Sequence, residues 1–174
     1  KVLSTGPGFM GLMCNQLAKL VGAYTIISGT PADKARLELA LKQGADRVVD
    51  NGDDLKKVVE EVTDGGVDIV LECSGSPYAI PGALDAIRKQ GAWTQVGMYG
   101  KDVTVAMDTI NRKELDFKGT FAPANSTREK LVKLYKLDKL QLDDYVSARI
   151  PLENWKEGFE MFQRKEGIKL FLVP

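Results

Sequence analysis

The stretch KVLSTGPGFMGLMCNQLAKLVGA, residues 1–23, decides the fold. An apolar run, Lys1 to Thr5, meets three glycines spaced G-x-G-x-x-G at Gly6, Gly8 and Gly11, and an apolar-rich stretch follows. A lone G-x-G-x-x-G is weak evidence. Here it follows a strand, opens a helix and sits inside a strand–helix–strand unit, which is the context of a dinucleotide-binding turn. Gly6 is expected to permit the tight turn, and Gly8 to let backbone approach a pyrophosphate with no Cβ in the way. Gly11 is expected to let the helix pack closely on the strand. The N–H groups of Phe9 and Met10, helped by the helix dipole, are then placed to bind the phosphates. The competing reading is a strand-to-helix bend whose glycines serve packing only.

Working outward, short β-rich runs alternate with helical stretches. The runs are KVLST, YTIIS (24–28), DRVVD (46–50), VDIVLECSG (67–75), AWTQVGMYG (92–100) and LDFKGTF (115–121). They are dense in Val, Ile and Leu rather than strictly alternating, as strands covered on both faces require. Thr30-Pro31 opens a helix that closes at Gln43-Gly44, with proline at the first helical position. A second helix is expected from about Asp53 to Thr63, and a third from Ser76-Pro77 to Gln90-Gly91. Strand, helix and strand at this spacing predict right-handed crossovers. The fold class is therefore α/β, a Rossmann-type doubly wound parallel sheet of six strands over residues 1–121. After Phe121 the rhythm changes. Ser126 to Leu137 reads as helical, Tyr145 to Ile150 as extended, Pro151 to Gln163 as helical and Ile168 to Val173 as a closing strand. This tail, residues 122–174, does not read as another crossover unit of the same kind.

Composition excludes several partners. The chain has 174 residues, 44% of them hydrophobic and 28% charged, which suits an ordinary globular core. Twenty-four basic residues balance 24 acidic ones, so there is no electrostatic case for nucleic acid or an anionic membrane. No apolar run approaches the roughly 20 residues of a bilayer span, and Lys1 leads directly into a strand with no signal peptide before it. Cys14 and Cys73 are too few and too scattered for a disulfide framework or a C-x-x-C site, which favours a reducing cytoplasm. Histidine is absent, and with it the commonest general base and transition-metal ligand. Cys73 therefore has no histidine to activate it and reads as a wall residue; Cys14 reads as a core thiol. Glu72 reads as a positioned polar group, and Trp93 and Trp155 as packing residues.

The end of the second strand normally supplies a carboxylate to the adenosine ribose of NAD. Ser28, Gly29 and Thr30 stand there, all neutral. Asp33 suits helix capping better than ribose binding. Neutral residues leave room for a 2′-phosphate that Lys34 or Arg36 would meet, so NAD and NADP both remain open.

With the strand order in place, several pieces together resemble the C-terminal portion of the zinc-type medium-chain dehydrogenases, in flavour the sorbitol, threonine and alcohol dehydrogenases. They are TGPGFMG, RLELALKQGAD (36–46), VDIVLECSG, GALDAIRKQGAWTQVGMYG, KELDFKGTF (113–121) and PLENWKEGFEMF…GIKLFLVP (151–174). The resemblance implies roles for residues. Gly6, Gly8, Phe9, Met10 and Gly11 would form the pyrophosphate turn. Thr30 would occupy the ribose-acid position, here without its acid, and Arg36 would lie beside the adenosine. Cys73, Ser74 and Gly75 would line the cofactor. Val96, Gly97 and Met98 would supply backbone on the nicotinamide side, as would Thr120 and Ala122. Lys169 would reach the pyrophosphate, against the plainer reading of a solvated strand residue.

The resemblance further implies hydride transfer between a secondary alcohol or polyol and NAD or NADP, with zinc polarising the alkoxide. In relatives a GroES-like catalytic domain carries the zinc ligands. Residues 122–174 would be the segment returning to that domain, so this chain is expected to be a fragment, inactive alone. The family also implies a homo-oligomer, dimer or tetramer, paired through an edge strand near Val103-Thr104-Val105. The alternatives are a zinc-free quinone or enoyl reductase of the same superfamily and a non-catalytic nucleotide-sensing module.

Overall fold

The apolar first strand becomes the centre of a parallel sheet because both of its flanks find partners. The computed structural model describes residues 1–50 and 52–174, and they form two units, Lys1–Pro123 and Ala124–Pro174. In the first, β1 (Val2–Thr5), β2 (Thr25–Ser28), β3 (Arg47–Val49), β4 (Val67–Glu72), β5 (Ile87–Gln95) and β6 (Asp116–Gly119) form one sheet. The order is β3-β2-β1-β4-β5-β6, every pairing parallel. The chain builds outward from β1 in one direction and then returns to build outward from β4 in the other. The carboxyl ends of β1 and β4 thus flank the switch point, where open α/β sheets bind ligands.

Helices α1 (Phe9–Leu20), α2 (Lys34–Lys42), α3 (Gly52–Val62), α4 (Ala79–Ala86) and α5 (Met107–Lys113) cover the sheet. Leu3, Ile26 and Val70 from the strands join Leu55 and Val59 of α3 and Ile80 and Leu84 of α4 in one buried cluster. Each such side chain removed from water contributes roughly 1.5–3 kcal/mol. Asn15 of α1 is 1% exposed, and neither its amide nitrogen nor its amide oxygen has a hydrogen-bond partner. An unsatisfied buried amide costs stability that an apolar side chain of similar size does not. Asn15→Leu is therefore expected to stabilise the chain by about 1 kcal/mol, measured as a midpoint rise of a few degrees on thermal melting.

Two segments depart from expectation. The helix expected to reach Gln90-Gly91 stops at Ala86. The Lys113 ammonium donates to the carbonyls of Leu84 (2.6 Å), Asp85 (3.0 Å) and Ile87 (2.6 Å), capping the helix end. Burial lowers the pKa of this lysine. Beyond the cap, β5 opens with Ile87 beside Val67 and its register shifts before Ala92 joins Ile69. Gln90 takes a left-handed conformation, φ 55°, within that irregularity. At its other end β5 stops at Gln95 rather than Gly100. The amides of Val96 (2.8 Å) and Gly97 (2.7 Å) both donate to the Glu72 carbonyl, which turns the chain out of the ladder. The strand expected near Val103-Thr104-Val105 pairs with nothing in the sheet; Val103 and Val105 pack partly buried on the core instead. Helix α5 follows them, unannounced by any side-chain cap.

The second unit holds α6 (Asn125–Lys136), β7 (Val146–Pro151), α7 (Trp155–Gln163) and β8 (Lys169–Val173). β7 and β8 pair in parallel around α7, a crossover in a separate two-stranded sheet and not a further unit of the six-stranded one. Pro151 closes β7 instead of opening the helix. Gly158 lets α7 lie close on the strands; a Cβ there would stand 3.1 Å from Leu172 Cδ2 and 3.2 Å from Ile150 Cδ1.

Candidate dinucleotide site

The three turn glycines have three different surroundings. Gly6 adopts φ +79°, and a Cβ on it would stand 2.6 Å from the Ser74 Cα. Only glycine meets both conditions at little cost. A Cβ on Gly11 would collide with the Gly6 carbonyl oxygen and would lie 3.7 Å from the Cys73 Cβ. Around Gly8 there is nothing within 4 Å. Gly8 is also the N-cap of α1, and its carbonyl accepts from the Leu12 amide at 3.0 Å. The helix N-terminus therefore opens on free space above the switch point, the geometry that attracts an anion. Phe9 is half-buried and Met10 is exposed beside it.

The remaining wall comes from the ends of β4 and β5. A Cβ on Gly75 (φ +61°) would stand 2.5 Å from the Met98 carbonyl oxygen, and one on Gly97 would strike the Gly75 amide. Cys73, Ser74, Gly75, Val96, Gly97 and Met98 are thus interlocked around two glycines, adjoining Gly6 and Gly11. The Thr120 amide donates to the Gln95 carbonyl at 3.0 Å, which brings the end of β6 alongside; Ala122 follows at φ 56°. On the other flank, a Cβ on Gly29 would stand 3.0 Å from Pro7 of the turn, so the end of β2 abuts the turn as well. There the Thr30 amide and hydroxyl both donate to Asp33 Oδ2, at 3.1 and 2.8 Å. Asp33 is the capping acid the sequence suggested, and its other oxygen accepts from Arg36 at 3.4 Å. Lys169 belongs to the second unit, where it is exposed at the start of β8 opposite Val146.

Sequence reasoning underrated Glu72. It is 0% exposed and lies beside Thr5 across the β1–β4 switch. Its Oε1 accepts from the Thr5 hydroxyl (2.9 Å), the Ser74 amide (3.0 Å) and the Ser74 hydroxyl. Its Oε2 accepts from the Gln95 amide (2.6 Å) and the Gly75 amide (3.3 Å). Gln95 continues the network, donating to the Gly97 carbonyl at 2.8 Å and accepting from Trp93 Nε1 (3.2 Å) and the Tyr99 hydroxyl (3.0 Å). One acceptor-only side chain therefore ties together the strand ends that form the wall. A buried acid one residue before the wall was visible in the sequence; its five donors come from three separated segments and were not.

Burial, followed by the charge of Glu72, pushes the Tyr99 phenol up from 10.0 to about 12. A raised phenol pKa contributes stability in full below the unfolded value near 10 and loses it as pH rises toward 12. In an alkaline titration followed by tyrosinate absorbance, Tyr99 should ionise late. The late absorbance should fall by one tyrosine in Tyr99→Phe; an undiminished late step would contradict the assignment.

Among the described residues no group of three or more cysteine, aspartate or glutamate side chains is placed to hold a metal ion. The chain has no histidine.

A strand-first parallel sheet with a glycine turn at its switch point defines the class of nucleotide-binding α/β proteins. Within that class the chain belongs to the zinc-binding dehydrogenase family, whose model matches residues 10–136. It is 36% identical over 174 residues to the D-arabitol-phosphate dehydrogenase of Enterococcus avium, covering 98% of this chain and 49% of that protein. It is 33% identical to the sorbitol dehydrogenase of Halalkalibacterium halodurans, covering 99% of this chain and 51% of the relative. The alcohol dehydrogenase of Thermus sp. ATN1 superposes with a TM-score of 0.86 at 28% identity, covering 99% of this chain and 51% of the other. The chain spans about half the length of the curated relatives it matches.

Proposed function

We propose that this chain is the nicotinamide-dinucleotide-binding portion of a zinc-dependent dehydrogenase acting on a secondary alcohol or polyol. The observation that carries the reading is the contrast at the turn: Gly6 and Gly11 are packed against protein, while Gly8 faces open space at the switch point. In this reading the pyrophosphate lies over Gly8, against the first turn of α1 with Phe9 and Met10. Thr30 and Arg36 flank the adenosine; Cys73, Ser74 and Gly75 line the cofactor. Backbone at Val96, Gly97, Met98, Thr120 and Ala122 orients the nicotinamide. When bound, the nicotinamide supplies the hydride acceptor or donor. Neutral Ser28, Gly29 and Thr30 admit either NAD or NADP. Asp33 already engages Arg36, which weakens the pull of that guanidinium on a 2′-phosphate.

The zinc ligands of such an enzyme lie outside the residues of this chain, so alcohol oxidation by this polypeptide alone is not expected. Residues 124–174 fit a segment that completes another domain. Their α7 exposes Trp155, Phe159 and Phe162, the last to 74%, an apolar face in search of cover. A homo-oligomer and a cytoplasmic location belong to the same reading. The two unbonded thiols suit a reducing compartment, and among the described residues no helix is long and apolar enough to cross a membrane.

The test is a titration of the folded chain with NADH and with NADPH, followed through Trp93, which is buried beneath the site wall. Saturable binding of at least one is expected, together with no alcohol-dependent reduction of NAD or NADP. A flat titration of a chain that circular dichroism shows to be folded would refute the reading.

A further inference from the structure

The sequence separates Cys14 and Cys73 by more than a third of the chain, yet the fold brings their sulfurs to 3.9 Å, with the Cys73 thiol directed at Cys14 Sγ. Cys14 lies in the second turn of α1 and Cys73 in the first residue after β4. Both are unbonded and partly exposed, so a small oxidant reaches them without unfolding. We propose that this pair is a dithiol modification site, in which hydrogen peroxide converts the two thiols to an intramolecular disulfide that ties α1 to the end of β4.

The chemistry balances on the two residues and one peroxide. The Cys14 thiolate attacks a peroxide oxygen; the O–O bond breaks, leaving a sulfenic acid and releasing hydroxide, which takes up a proton as water. The Cys73 sulfur then attacks the sulfenic sulfur, the S–O bond breaks, and the departing hydroxide leaves as water with the Cys73 proton. Two thiols lose two electrons in all, and the peroxide is reduced to two waters. Roles are unequal because the pair shares its protons. The hydrogen bond from Cys73 lowers the pKa of Cys14 against the opposing effect of burial. The same contact, then burial and the charge of Glu72, raises that of Cys73. A thiol that donates to a neighbouring sulfur favours that sulfur as the thiolate, so the contact from Cys73 to Cys14 Sγ makes Cys14 the attacking sulfur and Cys73 the resolving one.

Closing the bond draws the sulfurs in to about 2.05 Å. Any backbone movement that this takes at Cys73 is passed to the cofactor turn. Cys73 adjoins Gly11, its amide donates to the Thr5 carbonyl (3.1 Å) and hydroxyl (3.3 Å), and its neighbour Ser74 packs against Gly6. A shift of Cys73 toward α1 therefore displaces residues on which the opening over Gly8 depends. The consequence for the ligand rests on the dinucleotide reading above; formation of the bond does not.

The test treats the folded chain with stoichiometric hydrogen peroxide and reads it by intact mass and non-reducing peptide mapping. The expected product is lighter by two hydrogens, joins the Cys14 and Cys73 peptides and returns to the dithiol with dithiothreitol. Cys73→Ser should instead accumulate a sulfenic acid on Cys14 that dimedone traps. Should that variant fail to fold, the reversible cross-link in the unmodified chain decides alone. Independent overoxidation of either cysteine, cross-links only between molecules, or unreactive thiols would overturn the proposal. NADH titration before and after oxidation should show at least a tenfold loss of affinity, and an unchanged affinity in the cross-linked chain would refute the coupling. If the reduced chain binds no dinucleotide, the cofactor reading fails while the mass measurement still decides the disulfide.

Discussion

Gly11→Ala is expected to cost about 3 kcal/mol of stability, at the upper end of the usual cost of overpacking. Gly8→Ala, three residues away, is expected to cost under about 1 kcal/mol. The difference follows from what each new methyl would meet. At Gly11 it collides with the Gly6 carbonyl, an atom held by the backbone of the turn, so the helix itself must move. At Gly8 it enters open space, and φ −76°, ψ −176° is ordinary extended backbone for any residue. Thermal melting should therefore place Gly11→Ala lower by roughly 2–4 °C for each kcal/mol, with Gly8→Ala close to the parent. Binding should invert the ranking among folded variants. A methyl at Gly8 stands where the pyrophosphate is proposed to lie, and NADH affinity should fall roughly tenfold or more, ~1.4 kcal/mol for each factor of ten. An unchanged affinity in Gly8→Ala would place the ligand elsewhere.

Glu72→Leu is expected to be strongly destabilising, by about 3–5 kcal/mol, because several buried neutral donors lose their shared acceptor at once. Leucine fills similar volume but abandons donors from Thr5, Ser74, Gly75 and Gln95. Each buried donor left unsatisfied costs about 1–3 kcal/mol before relaxation. Glu72→Gln keeps the shape and one acceptor oxygen, so about half that loss is expected. Denaturant unfolding of the two variants checks the order. A second reading distinguishes the network from mere packing. With the carboxylate gone, the charge that helps to hold up the Tyr99 phenol disappears. The late tyrosinate step should then move to lower pH in Glu72→Gln. Equal stability of Glu72→Leu and the parent would show that the donors find other partners.

Much of this was legible in the chain as written. Strands β1 to β4 appear where runs of branched apolar residues predict them, because a strand buried on both faces needs such residues at nearly every position; β6, DFKG, is exposed at all four positions and lies at the sheet edge. The capping role of Asp33 was legible for a related reason: Thr30 and Asp33 are three residues apart, and the interaction is local. The misread boundaries share a cause. The end of α4 depends on Lys113, and the end of β5 on the Glu72 carbonyl, both more than twenty residues from the elements they terminate. Among the described residues the segment Val103 to Val105 pairs with no strand of this chain. Its alternating valines turn to the core, and β6 takes the edge of the sheet.

Taken alone, the sequence determined the alternation of strand and helix, the glycine turn at the end of the first strand and the absence of histidine chemistry. These follow from local spacing and residue type, which act within a few residues along the chain. Only the tertiary structure decided which turn glycine stands open, that Glu72 joins three strand ends, and that two cysteines of unrelated sequence context nearly touch. The order β3-β2-β1-β4-β5-β6 lays β4 against β1, and that one juxtaposition places residues 5, 11 and 14 beside 72, 73 and 74. Proximity of that kind is a property of chain crossover, and no pattern along the sequence carries it.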